Sequence, residues 1–510
     1  VDTGEFASGI ELNAIQRSNP EMQKRVYNAV RAMAENKDNP IVSIHDHGAG
    51  GHLNCLSELV EETGGTIDVN KLPVGDPTLS DKEIIGNESQ ERMGLVMKEK
   101  DIEYMRRVAE RERAPMYVVG DITGDHHFKF ENKKSNQNPM DWELVHMFGS
   151  SPTTILEDTS LDSSYDEVSY DIKQLQEYLN AVLQLEAVAC KDWLTNKVDR
   201  CVTGRVAKQQ TAGPIQLPLN NVGVMALDYR GEKGIATSIG HAPVSALIDP
   251  VAGSQLSVAE SLTNIIFAPI TEGIKGISLS ANWMWPAMNE GENARLYEAV
   301  KGLSDFVCEL GINVPTGKDS MSMPQQYKHE VVYAPGTVIV SAVGEDDALK
   351  KVVEPVIQPD FESTLVYVDL SGDEFKLGGS SFAQVVGTLG TTSSSIKSAE
   401  RYAQTFDYIQ ELIKAEKIMA GHDVSAGGLI TALLEMTFAQ IDTGIAVDLK
   451  AIKDADDISV FFSEKPALVL QVANEHLAEV IGQLAALGTT NYELGSPIGE
   501  PILSIQSNTQ

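Results

Sequence analysis

Two stretches of the chain, IHDHGAGGH at residues 44–52 and GHDVSAGGL at residues 421–429, each set a His-Asp pair two residues ahead of Ala-Gly-Gly. An aspartate at the end of a strand faces the crevice in which α/β sheets usually bind ligands. Paired glycines let backbone N–H groups come close to an anion at a helix start. The plainer alternative is a tight strand-to-helix turn with the aspartate as its cap. Two copies with the same His-Asp lead favour a ligand role, although duplication would also preserve a structural turn. His45, His47 and His52 raise the question of a transition-metal site. Alternation puts His45 and His47 on one face, but no cysteine or further histidine lies nearby in sequence, so this is the weaker reading.

Two further groups carry chemically useful residues. In LSVAESLTNIIF (256–267), Glu260 and Asn264 stand four apart and share one helix face, and their oxygens suit a hard cation such as Mg2+. Two solvated polar residues remain the alternative that spacing alone leaves open. In GINVPTGKDSMSM (311–323), five residues separate Gly311 from Gly317 and Asp319 follows Lys318, so the stretch is not a Walker A loop. No strand-linked GxGxxG supports a dinucleotide fold either. A Gly-Lys-Asp turn offers a cation for phosphate and a carboxylate for metal, as an ordinary surface turn also would.

The elements that must hold these residues follow from periodicity. Ile41, Val42 and Ile44 form a short apolar run like a buried strand, Gly48 to Gly51 break it, and Leu53, Leu56, Leu59 and Val60 then recur at helical spacing. Around the second motif Ile418 and Met419 precede the turn, while Leu429, Leu433 and Met436 follow at helical intervals. Aligning Asp46 with Asp423 also brings Glu58 onto Glu435, each twelve residues on. SQERMGLVM (89–97) then lines up with FSEKPALVL (462–470), and YVVGDITGD (117–125) with YELGSPIGE (492–500). Four ordered similarities point to an internal duplication. Between the copies, an acidic polar stretch (150–172) leads into a helical segment, IKQLQEYLNAVLQLEAVACKDWL (172–194), and then into glycine- and proline-punctuated sequence typical of strands and turns.

At 510 residues, and with a prior of about 150 residues per domain, the chain should hold about three domains around ordinary cores. The 73 acidic against 40 basic residues give a formal charge of −33, which argues against nucleic acid as a partner. No apolar run approaches a membrane span and nothing resembles a signal peptide, so the expectation is a cytoplasmic protein with no membrane partner. Cys55, Cys190, Cys201 and Cys308 form neither a CxxC pair nor a dense framework, which implies neither zinc nor disulfides. A start at VDTG without Met suggests a piece of something longer.

HDHGAGG, GNESQERM, ANWMW, PTGKDSMSM and HDVSAGG, in that order, closely resemble the synthetase portion of large-type phosphoribosylformylglycinamidine synthase, and the resemblance covers essentially the whole chain. It implies an α/β (α+β) fold of aminoimidazole ribonucleotide synthetase-like N-type and C-type domains from a tandem duplication. The implied division is a first C-type domain (1–165), a helical linker (166–198), a second N-type domain (199–347) and a second C-type domain (348–510). The implied reaction converts formylglycinamide ribonucleotide, ATP and glutamine-derived ammonia to formylglycinamidine ribonucleotide in purine biosynthesis, a C–N ligase activity.

Carried over by motif, the resemblance makes Asp46 a magnesium ligand near the active site and Glu88, Ser89 and Gln90 substrate contacts. It makes the second half resemble one that holds an auxiliary ADP with Mg2+. There Glu260, Asn264 and Asp423 match metal ligands, and Asn220 and Ser425 nucleotide contacts. Asn221 stands where the family has a Mg2+-binding aspartate, which puts the number of metal ions in doubt. Lys318 and Asp319 look like contributions to the catalytic cleft. The family's first N-type domain, with its catalytic histidine, and its glutaminase domain are expected outside this chain. None of the four cysteines sits in a G-x-C-x-G setting, so the expectation is that the chain alone does not complete the reaction. Two alternatives stay open: a non-catalytic nucleotide-binding scaffold, and another enzyme of the superfamily such as aminoimidazole ribonucleotide synthetase or selenophosphate synthetase.

Overall fold

The computed structural model describes residues 19–88, 91–150, 152–153, 155–161, 164–195, 200, 204–453 and 455–506. Two compact units emerge, one formed mainly by residues 1–155 and the other mainly by residues 156–510. Among the described residues no helix is long and apolar enough to cross a membrane. Cys55 is buried and Cys190 and Cys308 are exposed, all as free thiols, and Cys201 lies outside the described residues.

In the first unit, helix α1 (Pro20–Ala34) is capped by Asn19, whose side chain accepts from the Met22 N–H, with Pro20 at its first position. Strand β1 (Ile41–Asp46), helix α2 (Gly51–Leu59), strand β2 (Gly65–Asp68), helix α3 (Asp81–Gly86), strand β3 (Met93–Met97) and helix α4 (Ile102–Arg111) follow. Strands β4 (Gly120–Ile122), β5 (His127–Asn132) and β6 (Gln137–Glu143) complete it. β1 pairs antiparallel with β3, and a second sheet has the order β4-β2-β5-β6. Helix α2 packs Cys55 and Leu56 with Phe128, Phe130 and Val69 in one core, while Met33, Met105 and Val108 form another. β1 is a strand as its apolar run predicts, but it is not buried: Val42 and Ile44 are 64% and 42% exposed. The run of aliphatics hid an alternating strand whose second face lies open.

The second unit has two six-stranded sheets. One contains β7 (Val206–Lys208), β8 (Gly223–Ala226), β9 (Gly234–Gly240), β10 (Ile277–Met284), β11 (Asn313–Ser320) and β12 (Thr337–Asp346), in the order β11-β10-β12-β9-β8-β7. Helix α5 (Pro250–Ile265) lies against it beside helix α6 (Glu292–Leu310). Asp249 caps α5 by accepting from the Val251 and Ala252 N–H groups.

The other sheet contains β13 (Ser363–Asp369), β14 (Ile418–Val424), β15 (Gly444–Asp448), β16 (Ala467–Ala473), β17 (Asn491–Ile498) and β18 (Leu503–Gln506), ordered β14-β16-β13-β17-β15-β18. Helices α7 (Ala399–Lys414), α8 (Gly428–Phe438), α9 (Asp457–Phe462) and α10 (Asn474–Ala486) accompany it. A continuous core runs from Val258, Leu262 and Phe267 after and within α5 to Tyr402, Phe406 and Ile409 of α7, so the two sheets share one hydrophobic interior. The long helix read into residues 172–194 is shorter than its periodicity suggests: an α-helix spans only Leu175–Val182, with a 3-10 turn before it and four helical residues at Asp192–Thr195.

The repeat is visible in the strand registers. In the first unit Ile41 pairs with Met97, a bulge follows, and Ser43 then pairs with Val96, continuing to Asp46 opposite Met93. In the second, Ile418 pairs with Val472, a bulge follows, and Ala420 pairs with Gln471, continuing to Asp423 opposite Leu468. The same bulge recurs at the same place, a feature that chance resemblance does not supply. It also adjusts the sequence alignment, since Met93 takes the position of Leu468 rather than Pro466. A slip of two leaves every side chain on its own face. Likewise β2 has an antiparallel and a parallel neighbour in β4 and β5, as β15 has in β17 and β18.

Candidate functional site

Each strand-to-helix turn is built by its two glycines. Gly50 and Gly427 are the left-handed N-caps of α2 and α8, with φ of 81° and 87°. Gly51 and Gly428 follow at φ of 60° and 73°. A Cβ at Gly51 would lie 2.3 Å from the Asn87 carbonyl oxygen, and one at Gly428 2.3 Å from that of Phe461. In each unit the residues around the end of the next short helix therefore cross the turn at a distance only glycine permits.

In the second unit the turn presents Asp423 and Ser425 to α5. Twelve of the sixteen residues of α5 are buried, and Glu260 and Asn264 are among the four that are not. The Ser425 hydroxyl donates to Glu260 Oε1 at 2.6 Å, and the His241 N–H donates to Oε2 at 2.7 Å. Asn264 commits its Nδ2 to the Glu260 carbonyl at 2.9 Å, so Oδ1 is the atom it can offer a cation. Asn220 donates to the Gln209 carbonyl at 2.8 Å and Asn221 to the Gly421 carbonyl at 3.0 Å. Gly421 has no room for a side chain because the Phe267 ring lies against it.

Three oxygens, Asn220 Oδ1, Asn221 Oδ1 and Asp423 Oδ2, are inaccessible to solvent and have no hydrogen-bond partner among the described residues. Buried acceptors left in this way are costly, and either an ordered water or an oxygen-seeking cation satisfies them. Electrostatics agrees. Burial pushes the Glu260 carboxyl up despite the hydrogen bonds it accepts, and the Asp423 charge pushes it the same way. Glu464 accepts from the Gly427 N–H at 2.6 Å and the Ser381 N–H at 2.9 Å. Burial, with a contribution from the Glu260 charge, lifts it to about 7. The Asp423 charge thus disfavours ionisation of Glu260, and the Glu260 charge that of Glu464. Among the described residues no three His, Cys, Asp or Glu side chains form a metal cluster by themselves. The donor set here is mixed carboxylate and amide, which suits a hard cation and not zinc.

His422 is buried beside Asp423. Burial lowers its basicity, but hydrogen bonds to Asp423 and Glu435 outweigh that and raise it to about 10. Sequence reasoning noted Glu435 only as an aligned residue and passed over Glu464, although both stood in the repeated blocks. For Glu435 the available signal was its match to Glu58, each twelve residues after its aspartate.

In the first unit Asp46 ends β1 with its side chain 71% exposed, and Glu58 pairs with His45. Glu88 follows α3; Ser89 and Gln90 lie outside the described residues. The three histidines do not converge: His47 Nε2 and His52 Nδ1 share a hydrogen bond of 3.0 Å in the interior, while His45 faces Glu58. Burial lowers His47 and brings His52 to about 4, so this pair is neutral. Lys318 and Asp319 are exposed on the edge strand β11, opposite Asn282 and Trp283 of β10, and form a strand where a surface turn was one reading. Gly317 lets the two strands approach, since a Cβ there would lie 2.4 Å from the Ala281 carbonyl.

Comparison with known proteins follows the same division. Residues 1–133 and 364–507, together more than half of the chain, match the family described as AIR synthase related protein, C-terminal domain. Residues 190–345 match the FGAR-AT PurM_N-like domain. The phosphoribosylformylglycinamidine synthase of Homo sapiens is 37% identical over 96% of this chain and 38% of its own length. A probable phosphoribosylformylglycinamidine synthase, chloroplastic/mitochondrial, of Arabidopsis thaliana is 36% identical over 99% of this chain and 37% of its own. The chain thus spans less than two fifths of the curated relatives it matches. Among solved structures, Thermotoga maritima PurL complexed with ATP superposes with a TM-score of 0.63 at 17% identity, covering 98% of this chain and 69% of that one. The same protein complexed with FGAR gives 0.60 at 17% identity, over 94% and 65%. At that identity the likeness establishes the fold.

Proposed function

Because the chain belongs to the AIR synthase-related family, we propose that it forms part of the synthetase portion of a phosphoribosylformylglycinamidine synthase, its second unit holding a magnesium-bound adenine nucleotide at the Glu260–Asp423 cluster. The whole enzyme would convert formylglycinamide ribonucleotide, ATP and glutamine-derived ammonia to formylglycinamidine ribonucleotide. The domain matches support a division into a first C-type domain (1–165), a linker (166–198), a second N-type domain (199–347) and a second C-type domain (348–510).

The observation that carries the nucleotide reading is the trio of partnerless buried oxygens on Asn220, Asn221 and Asp423, beside the acids Glu260 and Glu464. Asp423, Glu260, Asn264 and Asn221 would hold the cation, which when bound neutralises phosphate charge. Asn221 is suited to its place in a way an aspartate is not, because its Nδ2 also ties β14 through the Gly421 carbonyl. Ser425, which donates to Glu260, and Asn220 are proposed as nucleotide contacts. In the first unit Asp46 is proposed as a magnesium ligand of the reacting nucleotide, and Glu88, Ser89 and Gln90 as substrate contacts; in the second unit Lys318 and Asp319 are proposed as contributors to the catalytic cleft. The proposed setting is the cytoplasm.

For the chain on its own the proposal is binding without turnover, since the cluster offers ligands but no group placed to transfer phosphate. Calorimetric titration with ADP and Mg2+ tests it. The expected result is one-site binding that requires Mg2+ and is lost in Asp423→Asn and Glu260→Gln. Absence of binding, or equal binding by both variants, refutes the site. Formation of product from formylglycinamide ribonucleotide, ATP and glutamine by these 510 residues refutes the division of labour.

A further inference from the structure

In both copies of the repeat the histidine before the aspartate bridges the strand end to the glutamate twelve residues on. His422 Nδ1 lies 3.1 Å from Asp423 Oδ1, and its Nε2 lies 3.0 Å from Glu435 Oε2. His45 Nδ1 lies 2.9 Å from the Asp46 carbonyl oxygen and 3.8 Å from Oδ1, and its Nε2 pairs with Glu58 Oε2. Glu58 and Glu435 stand twelve residues after their aspartates, on the helices that the glycine turns begin. A bridge of strand, imidazole and helix has thus been kept in two units whose surroundings differ.

Packing does not require it. His422 and Asp423 are 9% and 4% exposed at the side chain, where apolar residues would fill the same space without desolvating charge. The bridge acts instead on the orientation of one carboxylate. A free aspartate can turn about its last bond and exchange its two oxygens; a hydrogen bond at Oδ1 removes that freedom. In the second unit Oδ1 faces His422, and Oδ2 is left buried and partnerless. Glu435 in turn fixes the imidazole, as carboxylates commonly orient histidines around metal sites. In the first unit the same histidine holds the main chain, and the Asp46 carboxylate remains largely exposed and free to turn.

We propose that His422 and Glu435 are positioning residues that lock the Asp423 carboxylate with Oδ2 toward the cation. The proposal rests on the reading of Asp423 as a magnesium ligand.

The test compares wild type, Glu435→Ala, Glu435→Gln, His422→Ala, His422→Asn and Asp423→Asn for ADP affinity with and without Mg2+, with thermal midpoints alongside. Glu435→Ala and His422→Ala should weaken Mg2+-dependent binding about 10- to 100-fold, the usual range for residues that orient a ligand, and leave Mg2+-free binding unchanged. Glu435→Gln, which can still accept from Nε2, and His422→Asn, whose amide can replace Nδ1 toward Asp423, should restore most of the loss. Because Glu435 is 26% exposed, its variants should fold even where those of His422 do not. If Glu435→Ala binds Mg2+-ADP as wild type does while Asp423→Asn does not, the positioning role is overturned and the metal site stands. If Asp423→Asn binds as wild type does, both fall. Equal loss in Glu435→Ala and Glu435→Gln, with lowered thermal midpoints in both, indicates a structural role only and also overturns the proposal.

Discussion

At Asp423 one oxygen is bonded to His422 and the other is buried without a partner among the described residues. His52 shows the contrasting case of a polar residue whose needs are met inside the protein. It is buried against His47 and held neutral, its ionisation brought down to about 4 by burial and the neighbouring His47 and Arg92 charges. A histidine with a lowered native value stabilises fully above its ordinary value near 6.5, and that contribution is lost as pH falls toward 4. Urea unfolding at pH 7 and pH 5 should therefore show a loss of roughly 2 kcal/mol at the lower pH from this group, at about 1.4 kcal/mol per pH unit, and His52→Asn should flatten that difference. An unchanged pH dependence in the variant would contradict the assignment. At this scale the sequence was legible in the two His-Asp pairs, which recur with one spacing, whereas the spacing of Glu260 and Asn264 fixed only their shared helix face. Glu464 was not legible, because its role depends on N–H groups of Gly427 and Ser381 that are distant in sequence.

The glycine turn is the element on which both copies depend. Gly428→Ala must place a Cβ 2.3 Å from the Phe461 carbonyl at a φ of 73°, so it should destabilise the chain by about 2–4 kcal/mol. Gly482→Ala, in the exposed middle of α10 with open space around it, should instead stabilise by about 0.5–1 kcal/mol. Chemical denaturation of the two variants should give opposite signs, and the same sign in both would remove the case for a close-approach turn. Strand–turn–helix was readable from aliphatic runs and paired glycines alone. The open face of β1 was not, because Ile41, Val42 and Ile44 carry no polar alternation to mark which side is covered. Nor was β11 readable as a strand: its Pro-Thr-Gly-Lys-Asp sequence has the composition of a turn, and only backbone pairing with β10 holds it extended.

Across the whole molecule, the duplication is the feature from which most else follows. Two copies of one strand pair with the same bulge have diverged into an exposed aspartate in the first unit and a clamped, buried one in the second. The His422 imidazolium already balances charge on Asp423 and Glu435, and a cation bound between Asp423 and Glu260 would balance the rest of the acids gathered there. Crystals grown with ADP and Mn2+ in place of Mg2+ test this most directly, because manganese is located by its anomalous scattering. The account predicts a peak in the second unit coordinated by Asp423 Oδ2 together with Glu260 and at least one of Asn221 and Asn264. A map with no peak there, or with Asp423 Oδ2 still without a partner while nucleotide is bound elsewhere, would contradict it.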